Sequence, residues 1–588
     1  MSTREKVLVI GDDTRSFLAT VRSLGRQGLE VHAAPFDFRS PALNSRYIHA
    51  VHFLPYYLDG GAAWQSAIDA LLREHDFKLV IPCDERGLLP LCLHRDALAA
   101  RCALAIPAVE TLDTFFDKVK TRALAQACNV PVAHGRMLAP DDTVDRIVAD
   151  IGLPVVIKEP MSYALPELYV RTSTRIVETR EALAAWLDKQ DHRAPILFEQ
   201  MFPGFGAGVS VLCHEGAVLQ AFEHYRAHEF NGSGYYRKSA PLDPGRLAAV
   251  ERMVRSSGYT GLAMFEFKIN GDGGDWILIE VNARPWGSLP LPVSIGVDFP
   301  FRLYRLLVRG ETTPAVDYRP GRYCRNLVLD MWQTRMSAAE LGGQPRRIVA
   351  HYASWAWGFH RLLTGREHLD TLVLDDPQPG LRELRQLVTG RLAARRGRGK
   401  PQPDSARLGQ RLAELLGAVH TRPVEVLFVC QGNINRSSYA ELKSRQLFDA
   451  ARLHFGSAGM LPRNQRPSPA VAIAAAASHG VAMDVHRSRH ASAEVLDAAD
   501  LIIAFDQINL DSIAARYPHL KDRVYLLGEA DTASAADSAS GVQILDPEGK
   551  DATTFRSTYL RIDACLAALA SSSANAAALP LHLQKPSP

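Results

Sequence analysis

The sequence predicts an α/β protein of several domains, and three observations carry that expectation. Strand-like apolar runs alternate with helix-like segments from Lys6 onward, as in a sheet covered by helices. The chain has 588 residues, 47% of them apolar and 22% charged, enough for three to four domains with cores of their own. A further strand, loop and helix begin near Val424, beyond the basic, proline-bearing stretch Arg395-Arg396-Gly397-Arg398-Gly399-Lys400-Pro401-Gln402-Pro403.

A net charge of +3 is close to neutral for this size and argues against a nucleic-acid footprint. No apolar run approaches the roughly twenty residues of a membrane span, and Met1-Ser2-Thr3-Arg4-Glu5-Lys6 enters a strand without a signal-type apolar region. Eight dispersed cysteines fit a reducing compartment, so a cytoplasmic location is expected.

Lys6-Val7-Leu8-Val9-Ile10-Gly11-Asp12 reads as a buried parallel strand and turn, and Leu79-Val80-Ile81-Pro82-Cys83-Asp84-Glu85 as another that ends in acids at the functional edge of a sheet. No Gly-x-Gly-x-x-Gly follows the first strand. Gly204-Phe205-Gly206-Ala207-Gly208 lies between strand-like segments instead, so a dinucleotide fold is rejected. Phe116-Asp117-Lys118 begins a helix, Leu153 to Lys158 is a strand ending in lysine, and Phe198-Glu199-Gln200-Met201-Phe202 is a strand running into a turn. Phe265-Glu266-Phe267-Lys268 and Ile277 to Arg284 flank the turn Asn270 to Asp275. Alternation puts Glu280 and Asn282 on one face. If the two strands pair, Glu266, Glu280 and Asn282 converge as hard oxygen donors of the kind magnesium takes beside nucleotide phosphates.

This order and spacing resembles the ATP-grasp superfamily over about residues 5 to 330, most closely its carbamoyl-phosphate-synthase-like branch. The resemblance implies a fold of α+β lobes that binds ATP with Mg2+ (or Mn2+). Lys118 and Lys158 would bind phosphates, and Glu199, Gln200, Met201 and Phe202 would border adenine and ribose. Glu266, Glu280 and Asn282 would hold the metal, and Arg284 would steady the transferring phosphoryl group. Such enzymes phosphorylate a small-molecule carboxylate to an acyl phosphate, which an amine or similar nucleophile attacks. The run from His224 to Lys238, mixing cations, aromatics and glycines, is expected to form a mobile substrate loop, with Arg226 facing the substrate carboxylate.

From Asn326 to His420 the signals weaken. Trp332, Trp355 and Trp357 with Leu362 and Leu363 predict a helical extension, Asp375-Asp376-Pro377 a turn, and the basic run from Arg395 a solvated hinge.

Val426-Leu427-Phe428-Val429 then leads into Cys430-Gln431-Gly432-Asn433-Ile434-Asn435-Arg436-Ser437. A strand ending in a thiol, a short loop and an arginine at a helix start build an anion cup around a nucleophile. Inward-pointing backbone N–H groups take phosphate oxygens and stabilise negative charge on sulfur. Gly432 permits unusual dihedrals, Asn433 can brace the loop, and Ser437 can cap the helix and donate to the sulfur. Of three Asp-Pro pairs, Asp243-Pro244, Asp376-Pro377 and Asp546-Pro547, only the last lies in this unit, and a carboxylate fixed in a turn suits a general acid.

With Glu441, Gly456 to Gly459, His486 to Arg489, Asp506 and Asn509, these features resemble the low-molecular-weight protein tyrosine phosphatases, from about Val424 to Ala570. The resemblance implies a doubly wound parallel sheet, Cys430 as nucleophile, Arg436 as phosphoryl clamp, and Asp546 as acid and then base. Asn433 and Ser437 would shape the cup, and the substrate would be a phosphorylated protein or small phosphomonoester. Two positions depart from the family: Asn435 stands where a second cysteine is common, and Glu548-Gly549 where an aromatic is common.

The expected organisation is an α/β domain (1–115), an ATP-grasp domain (116–325), a helical extension and linker (326–423), a phosphatase domain (424–570) and a disordered tail (571–588). The expected activity is bifunctional, a carboxylate-activating ligase joined to a phosphatase. Two alternatives stand beside it. The first half could bind nucleotide only as a regulatory module, or the last domain could be an arsenate reductase, although Cys565 alone accompanies Cys430 there and reads as core.

Overall fold

The computed structural model describes residues 4–163, 168, 169, 172, 174–189, 195–230, 233–271, 274–342, 344–395, 407–417, 422–531 and 542–577. The basic hinge beyond Arg395 falls largely outside the described residues. The chain divides into two compact units, Met1–Gln386 and Leu387–Pro588.

The first unit holds three sheets. Strands β1 (Lys6–Ile10), β2 (Glu30–Ala34), β3 (Ile48–Val51), β4 (Phe77–Pro82) and β5 (Ala103–Leu104) form a parallel sheet in the order β3-β2-β1-β4-β5. The continuous apolar runs arise because this sheet is buried on both faces. Leu8, Ile10 and Val80 enter one core, and Val7, Val9, Leu79 and Ile81 the other. A second, antiparallel sheet comprises β6 (Gly135–Met137), β7 (Val155–Lys158), β8 (Arg175–Val177) and β9 (Leu197–Gln200), ordered β6-β9-β7-β8.

The third sheet contains β10 (Phe205–His214), β11 (Ala217–Phe230), β12 (Ser233–Ala240), β13 (Gly261–Ile269), β14 (Trp276–Asn282), β15 (Tyr323–Arg325) and β16 (Glu367–Leu369), ordered β14-β13-β10-β11-β12-β15-β16. Alternate residues of β10, namely Ala207, Val209, Val211 and Cys213, enter a core under the helix Pro244–Ser257. Gly206, Gly208 and Ser210 therefore face the other way. The expected mobile loop from His224 to Lys238 is instead the hairpin β11–β12, because its polar and aromatic residues alternate with the period of a strand. The turn at Asn231 and Gly232 lies outside the described residues.

The segment after Asn326 is helical over Leu327–Glu340, Pro345–Gly358 and Gln378–Arg395, but it also supplies β16 to the sheet. Asp375-Asp376-Pro377 is more than a surface turn. The fully buried Asp376 carboxylate accepts from Arg22 Nε at 2.9 Å, Ser45 Oγ at 2.7 Å and the Arg46 amide at 2.9 Å. Arg22 also donates to the carbonyls of Asp370 at 2.8 Å and Thr371 at 2.7 Å. Nearby, Arg325 bonds Glu367 at 2.6 Å and Asp330 at 2.7 Å, and Arg237 pairs with Asp370.

In the second unit, β17 (Val424–Cys430), β18 (Leu453–Gly459), β19 (Leu501–Ala504) and β20 (Val524–Leu526) form a parallel sheet ordered β18-β17-β19-β20. The order reverses next to β17, so the carboxyl end of that strand opens on a switch-point crevice. The helix Arg407–Gly417, within the segment read as linker, packs into this core through Leu408, Leu412 and Leu415 at helical spacing. The last helix, Ala552–Ala577, buries Phe555, Tyr559, Ile562, Cys565, Leu566 and Leu569. It continues past Ser571, where composition predicted a disordered tail, because an alanine-rich segment extends a helix already nucleated by packing. Among the described residues no helix is long and apolar enough to cross a membrane.

Replacing Asp376 by alanine leaves the Arg22 guanidinium buried and uncompensated, so the first unit should lose about 3–5 kcal/mol. Chemical denaturation of the full chain, followed by tryptophan fluorescence, checks this; all seven tryptophans precede residue 387.

Candidate active sites

Cys430 closes β17, and its sulfur sits at the floor of the loop that leads into the helix Arg436–Leu447. The left-handed residue of this loop is Asn433, with φ 52°, not Gly432. Asparagine tolerates that region. Glycine is required instead at Gly459 of β18, where a Cβ would lie 2.9 Å from the Asn433 amide nitrogen. The Asn433 N–H points at Cys430 Sγ (3.3 Å), and its Nδ2 donates to Ser437 Oγ at 3.0 Å and Ser457 Oγ at 2.7 Å. Because Ser437 Oγ already accepts from Asn433, its own proton is available to Cys430 Sγ at 3.0 Å. Ser437 does not cap the helix: Asn435 occupies that position, with no side-chain cap bond.

The loop is braced from outside. Asn433 Oδ1 accepts from the Arg489 amide at 2.9 Å, the Asn433 carbonyl meets His486 Nε2 at 2.8 Å, and Ser457 Oγ donates to Glu441. Arg436 is fully buried. Its Nη1 donates to Asp506 Oδ2 at 2.6 Å and the Ile544 carbonyl at 2.7 Å, and its Nη2 to Asp546 Oδ2 at 2.6 Å. Burial opposes its charge, but Cys430, Asp546 and Asp506 outweigh that and hold the guanidinium protonated. Its Nε is buried without a partner among the described residues, a donor left over for a bound oxyanion. The two departures from the family touch each other, Asn435 Nδ2 donating to Glu548 Oε2 at 2.7 Å.

In the first unit, β13 and β14 pair as expected, with Glu266 opposite Glu280 and Met264 opposite Asn282. Asn282 Nδ2 lies 3.1 Å from Glu266 Oε1 and 3.4 Å from Glu280 Oε1, so the three head groups converge on the non-core face. Burial pushes the Glu266 carboxyl upward, opposed by Arg226 and reinforced by Glu280. These are the hard oxygen donors a divalent magnesium or manganese ion takes, and their crowded charge calls for a cation. Arg226 now supplies one: its Nη2 pairs with Glu266 and its Nη1 with Glu229 at 3.5 Å. The arginine read as a substrate clamp thus lies against the metal-type carboxylates. It is housed by glycines, since a Cβ on Gly206 or Gly234 would come within 2.7 or 2.9 Å of its side chain.

Glu280, Asn282 and Arg284 line a cleft with Lys118, Thr121, Ser162 and Glu85. Asp117 caps the helix that begins at Lys118, and Lys118 Nζ reaches the Glu159 carbonyl at 3.2 Å and Ser162 Oγ at 3.0 Å. Arg284 Nη2 donates to Glu85 Oε1 at 2.7 Å, which gives the acids after β4 a role at the cleft. Lys158 and Glu199, both buried, pair at 2.5 Å across β7 and β9, and Arg122 takes the second Glu199 oxygen at 3.1 Å. Glu199 thus faces Lys158, while Gln200 and Met201 are exposed at the end of β9. Sequence reading gave no role to Arg122, Gly206 or Gly234, and named Asp506 and Gly459 only among the residues of the resemblance; the run Gly204-Phe205-Gly206-Ala207-Gly208 hinted at Gly206 alone.

Residues 425–578 match the family described as low molecular weight phosphotyrosine protein phosphatase. Over 104 residues the chain is 32% identical to the low molecular weight protein-tyrosine-phosphatase Etp of Escherichia coli K12, covering 18% of this chain and 69% of that protein. Over 181 residues it is 26% identical to the D-alanine–D-alanine ligase of Laribacter hongkongensis, covering 29% of this chain and 56% of that one. The biotin carboxylase domain of Hydrogenobacter thermophilus 2-oxoglutarate carboxylase, solved with MgADP and bicarbonate, aligns with 55% of this chain and 74% of its own, at TM-score 0.44 and 18% identity.

With Asn435 beside the cup, an oxidised Cys430 has no neighbouring thiol to trap it. Cys565 is buried in the last helix, and burial pushes its thiol up to about 11, which makes it a poor resolving group. Prolonged peroxide should therefore carry Cys430 past the sulfenic state, leaving inactivation that dithiothreitol does not reverse. Asn435→Cys should restore recovery. An intramolecular Cys430 disulfide in the unmodified protein, seen by mass spectrometry, would contradict this.

Proposed function

The chain belongs to the low-molecular-weight protein-tyrosine-phosphatase family through residues 425–578, and from that premise we propose how its own residues hydrolyse phosphomonoesters and what the first unit adds. The observation that carries the hydrolytic reading is the buried Arg436 guanidinium, fixed by Asp506 and the Ile544 carbonyl, with Nε unpartnered. The Cys430 thiolate attacks phosphorus, the ester P–O bond breaks, and Asp546 protonates the departing oxygen. Asp546 then takes a proton from water, whose oxygen displaces sulfur and releases phosphate. Asp546 rests against Arg436. An incoming phosphoryl group exchanges with it, so that substrate takes the arginine and frees the carboxylate to carry the proton. The Asn433 amide and Ser437 hydroxyl stabilise the sulfur as attacker and as leaving group. Substrates are a phosphorylated protein or a small phosphomonoester.

The first unit is an ATP-grasp module that activates a small-molecule carboxylate. Glu266, Glu280 and Asn282 hold magnesium or manganese, which when bound neutralises charge on the nucleotide phosphates. Lys118 and Lys158 contact those phosphates, with Glu199 and Arg122 fixing the Lys158 ammonium. Glu199 to Phe202 border the nucleotide base and ribose, and Arg284, held by Glu85, faces the phosphoryl group. Arg226, once exchanged from Glu266, is the cation for an anionic substrate. Both active sites operate within the one chain.

Cys430→Ser should abolish aryl-phosphate hydrolysis with the fold intact, and Arg436→Ala should abolish it together with a loss of stability, because Asp506 is left without its buried counter-charge. Asp546→Asn should slow esters of poor leaving groups about 10²–10⁴-fold and good ones far less. Equal loss on both would remove Asp546 from the acid role.

Magnesium-ATP should raise the unfolding temperature of the first unit by mass action, and Glu280→Ala or Lys158→Ala should erase the shift while aryl-phosphate turnover survives. Screening carboxylic acids and amines for ADP release with the Cys430→Ser protein tests the ligase reading. A nucleotide-dependent shift without ADP release for any acid would leave the unit as a regulatory module.

A further inference from the structure

Among residues that neither site uses, three imidazoles from three separate segments meet on one face of the first parallel sheet. His32 lies in the middle of β2, His52 directly follows β3, and His75 ends the helix Ala62–Glu74 just ahead of β4. One ring nitrogen from each lies within 4.8 Å of the others. His32 is buried and the other two are half-buried. The ring centroids of His32 and His52, His32 and His75, and His52 and His75 are each 5.1 Å apart. Nothing in the catalytic reading uses them. Glu30 and His75 stand at the amino ends of β2 and β4, and His52 at the carboxyl end of β3.

The hydrogen bonds orient the cluster. His32 Nε2 meets Glu30 Oε1 at 3.0 Å, which fixes the proton there and turns the Nδ1 lone pair inward. That Nδ1 faces His52 Nε2 at 2.8 Å, with the rings parallel. Two inward nitrogens, a third imidazole within reach and a carboxylate behind the buried ring form the carboxylate–histidine arrangement that steadies metal ligands. The other charged groups facing Glu30 are Lys6 at 3.8 Å and His49 at 3.7 Å, and His75 has Glu74 at 3.9 Å. Glu30 is therefore engaged as an outer partner rather than a ligand.

We propose that His32 Nδ1, His52 Nε2 and a ring nitrogen of His75 form a binding site for a divalent transition metal of the zinc class, oriented by Glu30. Imidazole nitrogens select such ions over magnesium or calcium, which take oxygen. Around tetrahedral zinc, with bonds of about 2.0–2.1 Å, ligand nitrogens stand about 3.3 Å apart. The His32–His52 pair opens slightly to admit the ion and His75 turns inward from its helix end. The proton between the facing nitrogens moves to His52 Nδ1, so neutral imidazoles bind without net proton release. The ion ties β2, the end of β3 and the entry to β4 together, a structural role.

The test uses the full chain carrying Cys430→Ser, so that the reactive thiol binds no metal, in excess Mg2+ to occupy the carboxylate site. Titration with Co2+ and Zn2+ against a chromophoric chelator should show one equivalent bound, a tetrahedral imidazole-type Co2+ spectrum, and a rise in the unfolding temperature of the first unit with Zn2+. His52→Ala and His75→Gln should each lose that equivalent, Glu30→Gln should weaken it about 10–100-fold, and His49→Ala should leave it unchanged. Circular dichroism verifies that each variant is folded, and the Co2+ spectrum of the chain with all three histidines stands independently of the variants. No stoichiometric binding, an octahedral oxygen-type spectrum, or an equivalent retained by folded His52→Ala and His75→Gln proteins would overturn the proposal.

Discussion

A guanidinium taken out of water must meet negative charge or hydrogen-bond acceptors, and the second unit is arranged around that requirement at Arg436. The residue opens the helix after the Cys430 loop, so its head group is carried beneath the cup, where no solvent reaches it. Asp506 and the Ile544 carbonyl meet part of the demand from two other segments, and Asp546 takes Nη2. The crevice at the carboxyl end of β17 is therefore assembled from pieces far apart in sequence, held by one cation. In the reaction proposed above, two of these acceptors stay in place and the third, Asp546, is exchanged for the phosphoryl group.

The first unit solves the converse problem. Glu266 and Glu280 lie opposite each other on adjacent strands with Asn282 between them, and burial makes the charge of Glu266 costly. Arg226, fitted between Gly206 and Gly234, offsets that charge at rest. In each unit an arginine rests on a carboxylate of the candidate site, Arg436 on Asp546 and Arg226 on Glu266.

Away from the sites the same physics ties the chain together. Arg22 with Asp376, Arg237 with Asp370 and Arg325 with Glu367 join the segment after Asn326 to the body of the first unit. Each pair is shielded from water, so its value lies in uniqueness: a guanidinium accepts few arrangements of acceptors, and a shifted register would strand it.

The three Asp-Pro pairs show what was legible locally. Asp376 read as a turn and Asp546 as an acid fixed in one, while Asp243 drew no reading; in the structure Asp243 caps the helix Pro244–Ser257, Asp376 is a buried tether, and Asp546 faces the arginine of the cup. Sequence by itself determined the strands that carry the sites, the helix starts at Lys118 and Arg436, the hairpin of Glu266 with Glu280, and the thiol loop, because period and turn chemistry act over a few residues. It misjudged the hairpin from His224 to Lys238, placed backbone strain at Gly432 rather than Asn433, and assigned no glycine to the approach of Arg226. Only the tertiary structure decided which charges meet, since burial and counter-charge depend on segments brought together from across the chain. The histidines at 32, 52 and 75 are the extreme case, with no spacing that marks them in the sequence and one sheet face that collects them.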